Sequence, residues 1–287
     1  MLSGSIQPGS AWVRGNAYTQ GATSPKRLAG EKITVSRPEL LVNSTGFYHT
    51  VVQPTYAEFD ISKVVNVKDV PAHPVAGNGA TDDTASLQAI LNESVGKVVY
   101  FPYGIYLLSD TLLVPPGSRL VGEAFTQLSA TGSKFKDANK PRPMIKVGNT
   151  GDVGLAQMHD FMFTVNEILP GAVLVEVNMA GEKPGDVGFF FCNFRIAGAR
   201  GSKVWNNCAN AQTCNAARIT AHLTATSSSY WEHTWAWSAD LDLDGSSSVL
   251  ASPAAGFLIE AQNGTWMLGM GSGESGLDCS RSLRNLC

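Results

Sequence analysis

The apolar positions after residue 96 form a series of short runs, most of them four to eight residues long, separated by Gly, Pro, Asn or Asp. Runs of this length are typical of β-strands, and no helix-length apolar period lies between them. This pattern disfavours alternating βα units and leaves a sandwich, a barrel, a propeller or a β-solenoid. The runs cover residues 97–101, 105–109, 118–122, 144–147, 161–165, 173–177, 189–196, 217–224, 230–237 and 256–260.

Two features favour the solenoid. The runs KVVYF and FFFCNF are apolar on both faces, as strands of parallel sheets are. A single helix is predicted before the first run, at about residues 82–93, where it would cover the open end of a stack of coils. Thr81 is its expected N-cap. Asp82 and Asp83 would face the positive end of the helix dipole, so we interpret them as capping residues and not as a metal or acid–base pair.

The first 60 residues show no lasting apolar period and are punctuated by Gly and Pro. They are predicted to be an irregular connector arm that leads from another part of a longer chain. The opening sequence MLSGSIQPGSA has neither a basic start nor an apolar core, and it does not resemble a secretory signal peptide.

Composition narrows the possible functions. The net charge of −3, without a basic stripe, speaks against a nucleic-acid partner, and no apolar window is long enough for a membrane helix. Among the five cysteines, Cys208 and Cys214 flank a short polar loop and would close a small disulfide, with two free thiols as the alternative. No CxxC pair or His/Cys cluster predicts a zinc site, and no cofactor is expected.

The segment GNGATDDTASLQAIL, followed by VVYFPYGIYLLSDTLLVPPGSRLVGE, resembles the start of a pectate-lyase-like right-handed parallel β-helix. Asn78 stands where that superfamily usually has Asp. The resemblance implies an all-β fold, a right-handed single-stranded parallel β-helix with an N-terminal capping helix. We place this domain at residues 61–278, after the arm at 1–60.

Later segments narrow the resemblance. GDVGLAQMHDFMFTV, AVLVEVNMA, FRIAGARGSKV, WAWSADLDLD and GFLIEAQNGTWMLG are similar to the second half of fungal glycoside hydrolase family 55, over roughly residues 10–274. That family comprises β-1,3-glucanases with two β-helices side by side and the active cleft between them. The resemblance implies a secreted, extracellular hydrolase, a β-1,3-glucan substrate, and a first β-helix as the partner domain.

Two departures from the family pattern lead us to expect a truncated chain. No first β-helix is present, and Ser275 replaces the His of the family run T-W-x-x-G-x-x-x-E-H. The tail at residues 279–287 resembles nothing in the family, and the later Glu of a Q-T-E run is absent. We therefore expect impaired activity from this chain.

Glu274 matches the first Glu of the family pair and is the candidate catalytic residue. In an inverting mechanism one carboxyl group protonates the leaving oxygen while a second site holds and deprotonates water. By resemblance, Glu274 would help to hold the water and the missing Glu would be the acid. The alternative is an exposed carboxylate without a catalytic role.

The segment at residues 230–244 is rich in Trp and Asp. On an extended strand Trp231, Trp235 and Trp237 share one face, where they would bind sugar rings or fill the β-helix interior. Asp240 and Asp242 lie on the other face, where they would bind sugar hydroxyls or be solvated at a turn. Glu260 would face a cleft or serve as a structural carboxylate at the end of a strand. Ala251 replaces the last ligand of a calcium loop, so no metal site is predicted.

Three functions remain open on the sequence. The first is a β-1,3-glucan hydrolase, with exo or endo action undecided, and the second is a non-catalytic glucan-binding β-helix. The third is a pectin-type polygalacturonase or lyase, but its Asp clusters and basic residues are not recognisable.

Overall fold

The computed structural model describes residues 10–17, 24–34, 38–197, 203–208, 214–239 and 251–273. The chain divides into two units, residues 1–50 and 51–287. In the first unit β1 (Ser10–Ala17) and β2 (Lys26–Thr34) form an antiparallel hairpin. The prediction of an irregular arm is therefore wrong for these strands. Gly30 is the extra residue of a β-bulge, and glycines inside strands hid the pairing from the sequence pattern.

The second unit consists of short strands with two helices among the described residues. Its elements, in chain order, are β3 (Val64–Asn66), β4 (Asn78–Asp82), α1 (Thr84–Glu93), β5 (Val98–Phe101), β6 (Ile105–Leu108), β7 (Leu112–Val114), β8 (Ser118–Ala130), β9 (Arg142–Val147), β10 (Ala156–Val165), β11 (Ala172–Val177), β12 (Val187–Phe190), β13 (Asn193–Ala197), α2 (Lys203–Cys208), β14 (Cys214–Leu223), β15 (Ser229–Glu232), β16 (Trp235–Ala239), β17 (Ala251–Ile259), β18 (Thr265–Leu268) and β19 (Gly271–Gly273).

The strands of this unit stack in parallel on three faces. Face A contains β3, β5, the first part of β8, the first part of β10, β12, β15 and β18. Face B contains β4, β6, the second parts of β8 and β10, β13, β16 and β19. Face C contains β7, β9, β11, β14 and β17. The chain visits A, B and C in turn, so the predicted all-β parallel β-helix is confirmed.

Aromatic rings fill the interior of the coils and stack from one coil to the next. The rings of Phe189 and Trp231 lie parallel, with centroids 3.8 Å apart, and Phe101 packs edge-on to Phe161 at 5.2 Å. All four side chains are buried. Because parallel strands repeat the same inward position on each coil, apolar runs on successive coils build one continuous core.

Helix α1 closes the stack beside face C. Its Leu87, Ile90 and Leu91 are buried in the core, while the amide of Gln88 bonds both the N–H and the C=O of Leu113 in β7, at 2.8 and 3.0 Å. The side chain of Gln88 thus replaces a neighbouring strand at this sheet edge, where unpaired backbone groups would otherwise remain.

The helix begins two residues later than predicted, and Asp83, not Thr81, is its N-cap residue. The carboxylate of Asp83 turns away from the helix and accepts hydrogen bonds from the N–H groups of Ala76 and Gly77, at 2.7 and 2.9 Å. Asp82 accepts from the N–H of Thr84, at 3.1 Å. Both aspartates thus have structural partners, as the capping interpretation implied, although only Asp82 reaches the helix.

Residues with a left-handed backbone mark the corner between faces A and B on successive coils. Asp160, Phe191 and His233 have φ values of 58°, 53° and 53°, and Gly269 continues the column with 62°. This conformation is uncommon for residues other than Gly. Each such residue turns the chain from face A to face B. The side chains of the next strand therefore begin a new alternation between inward and outward positions.

Helix α2 lies between β13 and β14 and was not predicted. The sulfur atoms of Cys208 and Cys214 are joined as a disulfide, 2.06 Å apart. The bond links the end of α2 to the start of β14. In the described part of the chain, no helix is long and apolar enough to cross a membrane.

Candidate functional site

Four aromatic side chains form a surface on face B and its corner with face A, here called the aromatic platform: Phe191, His233, Trp235 and Trp237. The Trp235 and Trp237 rings are nearly parallel, 10° apart in plane, with centroids 4.5 Å apart. Phe191 and His233 stack across neighbouring coils at 4.7 Å. Trp235 remains 45% exposed and Phe191 41%, which is unusual for such large apolar side chains. The platform can therefore contact a flat apolar ligand surface.

Polar neighbours fix the platform in place. The carboxamide oxygen of Asn193 accepts a hydrogen bond from the backbone N–H of Trp235, at 2.9 Å. The guanidinium of Arg195 lies 5.4 Å from the ring centroid of Trp237, within cation–π range. Gly271 pairs with Trp235 on the next coil, and its lack of a side chain leaves room beside the indole ring.

Trp231 does not belong to this surface, and its predicted placement with Trp235 and Trp237 on one strand face is wrong. Its ring is fully buried and stacks on Phe189 inside the coil. The physical reason is the left-handed residue His233, which separates β15 from β16 and breaks the period-two alternation. Trp231 fills the interior, the alternative that the sequence left open, whereas Trp235 points outward.

Glu260 lies on a different face from the platform. It follows β17 on face C, where its Oε2 is 2.8 Å from Nε2 of His222. The other ring nitrogen of His222 lies 3.6 Å from Glu176. The carboxylate of Glu176 is the largest cause that raises the pKa of His222, burial opposes this effect, and Glu260 adds to it. Glu260 thus belongs to a cross-coil charge cluster.

The remaining predicted site residues lie outside the described residues: Glu274, Asp240 and Asp242. Their neighbours in the chain are on face B. Ala239 ends β16, directly before Asp240, and Gly273 ends β19, directly before Glu274. Gly273 pairs with Trp237. In the sequence, all three carboxylates therefore follow strands at the platform.

Two carboxylates near the corner are not among the predicted site residues. Glu232 accepts a hydrogen bond from the hydroxyl of Tyr230, at 3.1 Å, and its other oxygen lies 3.7 Å from Nε2 of His233. Asp160 sits in the left-handed column, and burial raises its pKa. Left-handed backbone at a residue other than Gly is enriched at functional sites, but a single sequence gives no signal for it.

No metal site is apparent in the part of the chain that the structure describes. No group of three or more His, Cys, Asp or Glu side chains there is arranged to hold a metal ion. The chemistry available to the described site is aromatic stacking, hydrogen bonding and carboxylate acid–base function.

The sequence matches known families over much of this fold. Residues 64–163 match a family model described as rhamnogalacturonase A/epimerase, pectate lyase-like. A glucan endo-1,3-beta-glucosidase of Trichoderma harzianum is 40% identical over 77% of this chain and 30% of its own length. A probable glucan endo-1,3-beta-glucosidase of Arthroderma benhamiae is 35% identical over 83% of this chain and 28% of its own length.

These relatives and the family model support a glycoside hydrolase of the family 55 type. A non-secreted LysM effector of Penicillium expansum is also similar, with 37% identity over 77% of this chain and 16% of that protein. The chain thus spans less than a third of the length of each of these three relatives. Relatives with different names thus share sequence with this chain.

Proposed function

We propose that this chain recognises β-1,3-glucan on the aromatic platform and acts as one β-helix of a β-1,3-glucan hydrolase. The observation that carries the proposal is the parallel pair Trp235 and Trp237, in which Trp235 is exposed and Trp237 half-buried. The C–H faces of a pyranose ring are flat and apolar, and they pack well against an indole face. Two glucanases among the relatives, at 35% and 40% identity, support glucan as the ligand.

The catalytic part of the proposal concerns Glu274. Its place in the sequence, directly after Gly273 of β19, would bring a carboxylate to the end of face B that carries Trp237. We propose that Glu274 holds the attacking water in an inverting hydrolysis, while a second carboxyl group protonates the leaving oxygen. Inversion requires a separation of about 6.5–9.5 Å between the two groups.

The acid is proposed to lie outside these 287 residues, because the Q-T-E run of the family has no counterpart in them. We further propose that the first β-helix of such an enzyme packs beside this one and that the assembled protein works outside the cell. On this proposal, the 287 residues alone bind glucan but hydrolyse it slowly. Asp240 and Asp242 would bind sugar hydroxyls beside the Trp pair.

A non-catalytic glucan-binding β-helix is the second candidate. The platform favours it because binding needs only the aromatic surface, whereas hydrolysis needs two carboxyl groups. One relative is named as a LysM effector and not as a glucanase, which agrees with a non-catalytic role for this domain. A pectin-type hydrolase or lyase stays a weaker alternative, supported by the description of the matching family model.

A binding experiment tests the platform. Laminarin affinity is measured by calorimetry for the unmodified chain and for Trp235→Ala and Trp237→Ala. Each variant is expected to bind at least about fivefold more weakly, because a lost ring contact is worth on the order of 1 kcal/mol. Tyr103→Ala is the matched control, since Tyr103 is 61% exposed on an earlier coil. Unchanged affinity in both Trp variants would refute the platform.

A hydrolysis experiment separates the candidates. Reducing-sugar release from laminarin and from polygalacturonate is followed with the same chain and with Glu274→Gln. Slow release from laminarin that Glu274→Gln abolishes supports the hydrolase. Binding without release, unchanged by Glu274→Gln, supports the non-catalytic module. Release of reducing sugar from polygalacturonate alone would mean that the substrate is a pectin and not a glucan.

A further inference from the structure

Residues 51–59 form a strap over the outer surface of face A. At one end the N–H of Val51 donates to the hydroxyl of Tyr230, at 3.2 Å. At the other end the ring of Phe59 lies 4.9 Å from the guanidinium of Arg119. Tyr56, between them, is only 9% exposed. The strap therefore covers polar and aromatic side chains that would otherwise face solvent.

A directional chain of hydrogen bonds fixes the strap. The amide nitrogen of Gln157 donates to the backbone oxygen of Gly185 at 2.8 Å, so its oxygen accepts from the Tyr56 hydroxyl at 2.9 Å. With its proton used in this way, the Tyr56 oxygen accepts from Nε2 of His159, also at 2.9 Å. The remaining nitrogen, Nδ1, accepts from the amide of Gln53 at 3.3 Å.

This chain of bonds specifies one protonation state. His159 must carry its proton on Nε2 and present a lone pair at Nδ1, which is the neutral imidazole. A second proton on Nδ1 would face the NH₂ group of Gln53, donor against donor. The ring is also 2% exposed and stacks on Phe190 at 4.7 Å, so water does not reach it to solvate a charge.

No neighbouring charge compensates for burial of an imidazolium at this position. Burial is the cause that lowers the pKa of His159, to about 4. The nearest carboxylate on its own strand is Asp160, and burial raises the pKa of that group as well. The ionisable groups on the strap and on the elements packed around it are Tyr56, Glu58, Arg119, Glu123, Asp160, Asp186, Cys192, Tyr230 and Glu232.

The strap also stores backbone strain. Tyr56 has a φ of 55°, a left-handed conformation that costs of order 1 kcal/mol for a residue with a side chain. Its hydroxyl bonds to Gln157 and His159 hold this conformation, and burial raises the pKa of Tyr56. Loss of the His159 bond therefore favours release of the strap.

We propose that His159 is an acid-sensitive latch, which holds residues 51–59 against face A while neutral and releases them when it becomes protonated. Release would uncover Tyr230, Phe190 and Gln157 as a second surface beside the aromatic platform. The direction follows from linkage. A histidine with a lowered pKa stabilises the closed state above its ordinary pKa and loses this contribution as the pH falls.

The size of the effect follows from the two pKa values. With 6.5 for a released histidine and about 4 for the latched one, the opening equilibrium rises about 200-fold between pH 7.5 and pH 3.5. Most of the change falls between pH 6.5 and pH 4. The strap therefore opens on acidification before strongly paired carboxylates such as Glu167 are protonated.

Hydrogen exchange tests the latch. Protection factors, corrected for the intrinsic pH dependence of exchange, are measured from pH 7.5 to pH 3.5 for the amides of Val51 and Phe59. Both are expected to fall by up to about 200-fold, while core amides of β10 and β12 keep their protection. Unchanged protection at Val51, or equal loss in the core, would overturn the proposal.

Two variants identify the titrating group. His159→Phe keeps a ring against Phe190 and is expected to abolish the acid dependence. Gln53→Glu places an acceptor at Nδ1, so the strap should stay protected in acid even if His159→Phe does not fold. The control is His73→Gln, because His73 bonds Glu93 away from the strap. Acid release of the same size in His159→Phe or in Gln53→Glu would refute the latch.

Discussion

Nε2 of His222 lies 2.8 Å from Oε2 of Glu260, and this contact joins neighbouring coils on face C. Glu176, on the coil before, lies 3.6 Å from the other ring nitrogen. The imidazole thus sits between two carboxylates, and Glu176 and then Glu260 raise its pKa above the ordinary 6.5. A raised histidine pKa stabilises the fold when the ring is charged.

The first prediction concerns this pair. His222→Gln should destabilise the protein by about 0.5–1 kcal/mol at pH 5, since the group is partly exposed and screened. The loss should vanish as the pH rises through the folded pKa, because the charged ring contributes its full stability only below the unfolded value. Urea unfolding at pH 5 and pH 9 measures both values. Equal destabilisation at the two pH values would contradict the charge-based explanation.

Much of the fold was predictable because a β-helix consists of coils whose strands are short and local in the sequence. Runs such as 97–101 and 105–109 became β5 and β6, since each coil buries its own inward residues against the next. The hairpin of β1 and β2 was not predictable in this way. Its Gly30 bulge interrupts the alternation, and its pairing is antiparallel and separate from the repeats.

The site was less predictable than the fold. Assigning Trp231 to the surface failed because one left-handed residue, His233, shifts the phase of the strand that follows. Nothing in a single sequence reveals a positive φ at His. The sequence left Glu260 either facing a cleft or as a structural carboxylate at a strand end, and its partner His222 lies 38 positions earlier in the chain. Such contacts depend on the register between coils.

The second prediction contrasts two tryptophans of neighbouring strands. Trp231→Ala should cost about 3–5 kcal/mol, because it leaves a cavity beside Phe189 and removes the bond from the indole N–H to Ser229. Trp235→Ala should cost about 1 kcal/mol or less, because that ring is 45% exposed. Chemical unfolding of both variants at one pH checks the contrast. Similar losses of stability in the two variants would mean that Trp235 in the platform has a structural role.

The third prediction concerns acid stability at Glu167. Its carboxylate accepts from the N–H of Gly132 at 2.9 Å, from the hydroxyl of Thr131, and from Lys136. The backbone bond from Gly132 is the largest cause that lowers the pKa of Glu167, to about 2. A lowered carboxyl pKa stabilises the fold above the ordinary value of 4.5, and this stability is lost as the pH falls through about 2.

Glu167→Gln should therefore cost about 1–2 kcal/mol at pH 6, after allowance for solvent screening, and little at pH 2. Thermal unfolding across this range provides the measurement. Glu182→Gln is a suitable control, because Glu182 is exposed and its substitution should change stability by less than about 0.5 kcal/mol. A loss of stability in Glu167→Gln that does not change with pH would show that packing, and not the charge, explains the effect.

The last prediction concerns the cap at Gln88. Its amide pairs with the N–H and C=O of Leu113, so Gln88→Ala leaves two backbone groups of β7 without these partners. The variant should lower the free energy of unfolding by about 1–2 kcal/mol.

Gln88→Glu keeps the acceptor but turns the donor into a carboxylate oxygen that faces the Leu113 oxygen. This variant should be destabilised at pH 7 and partly restored near pH 4, where a protonated carboxyl group donates again. Asn92→Ala removes only the third partner of Gln88, at 3.0 Å on the helix surface, and should change stability by less than about 0.5 kcal/mol. If Gln88→Ala and Asn92→Ala have equal effects, the edge of β7 does not need the helix side chain.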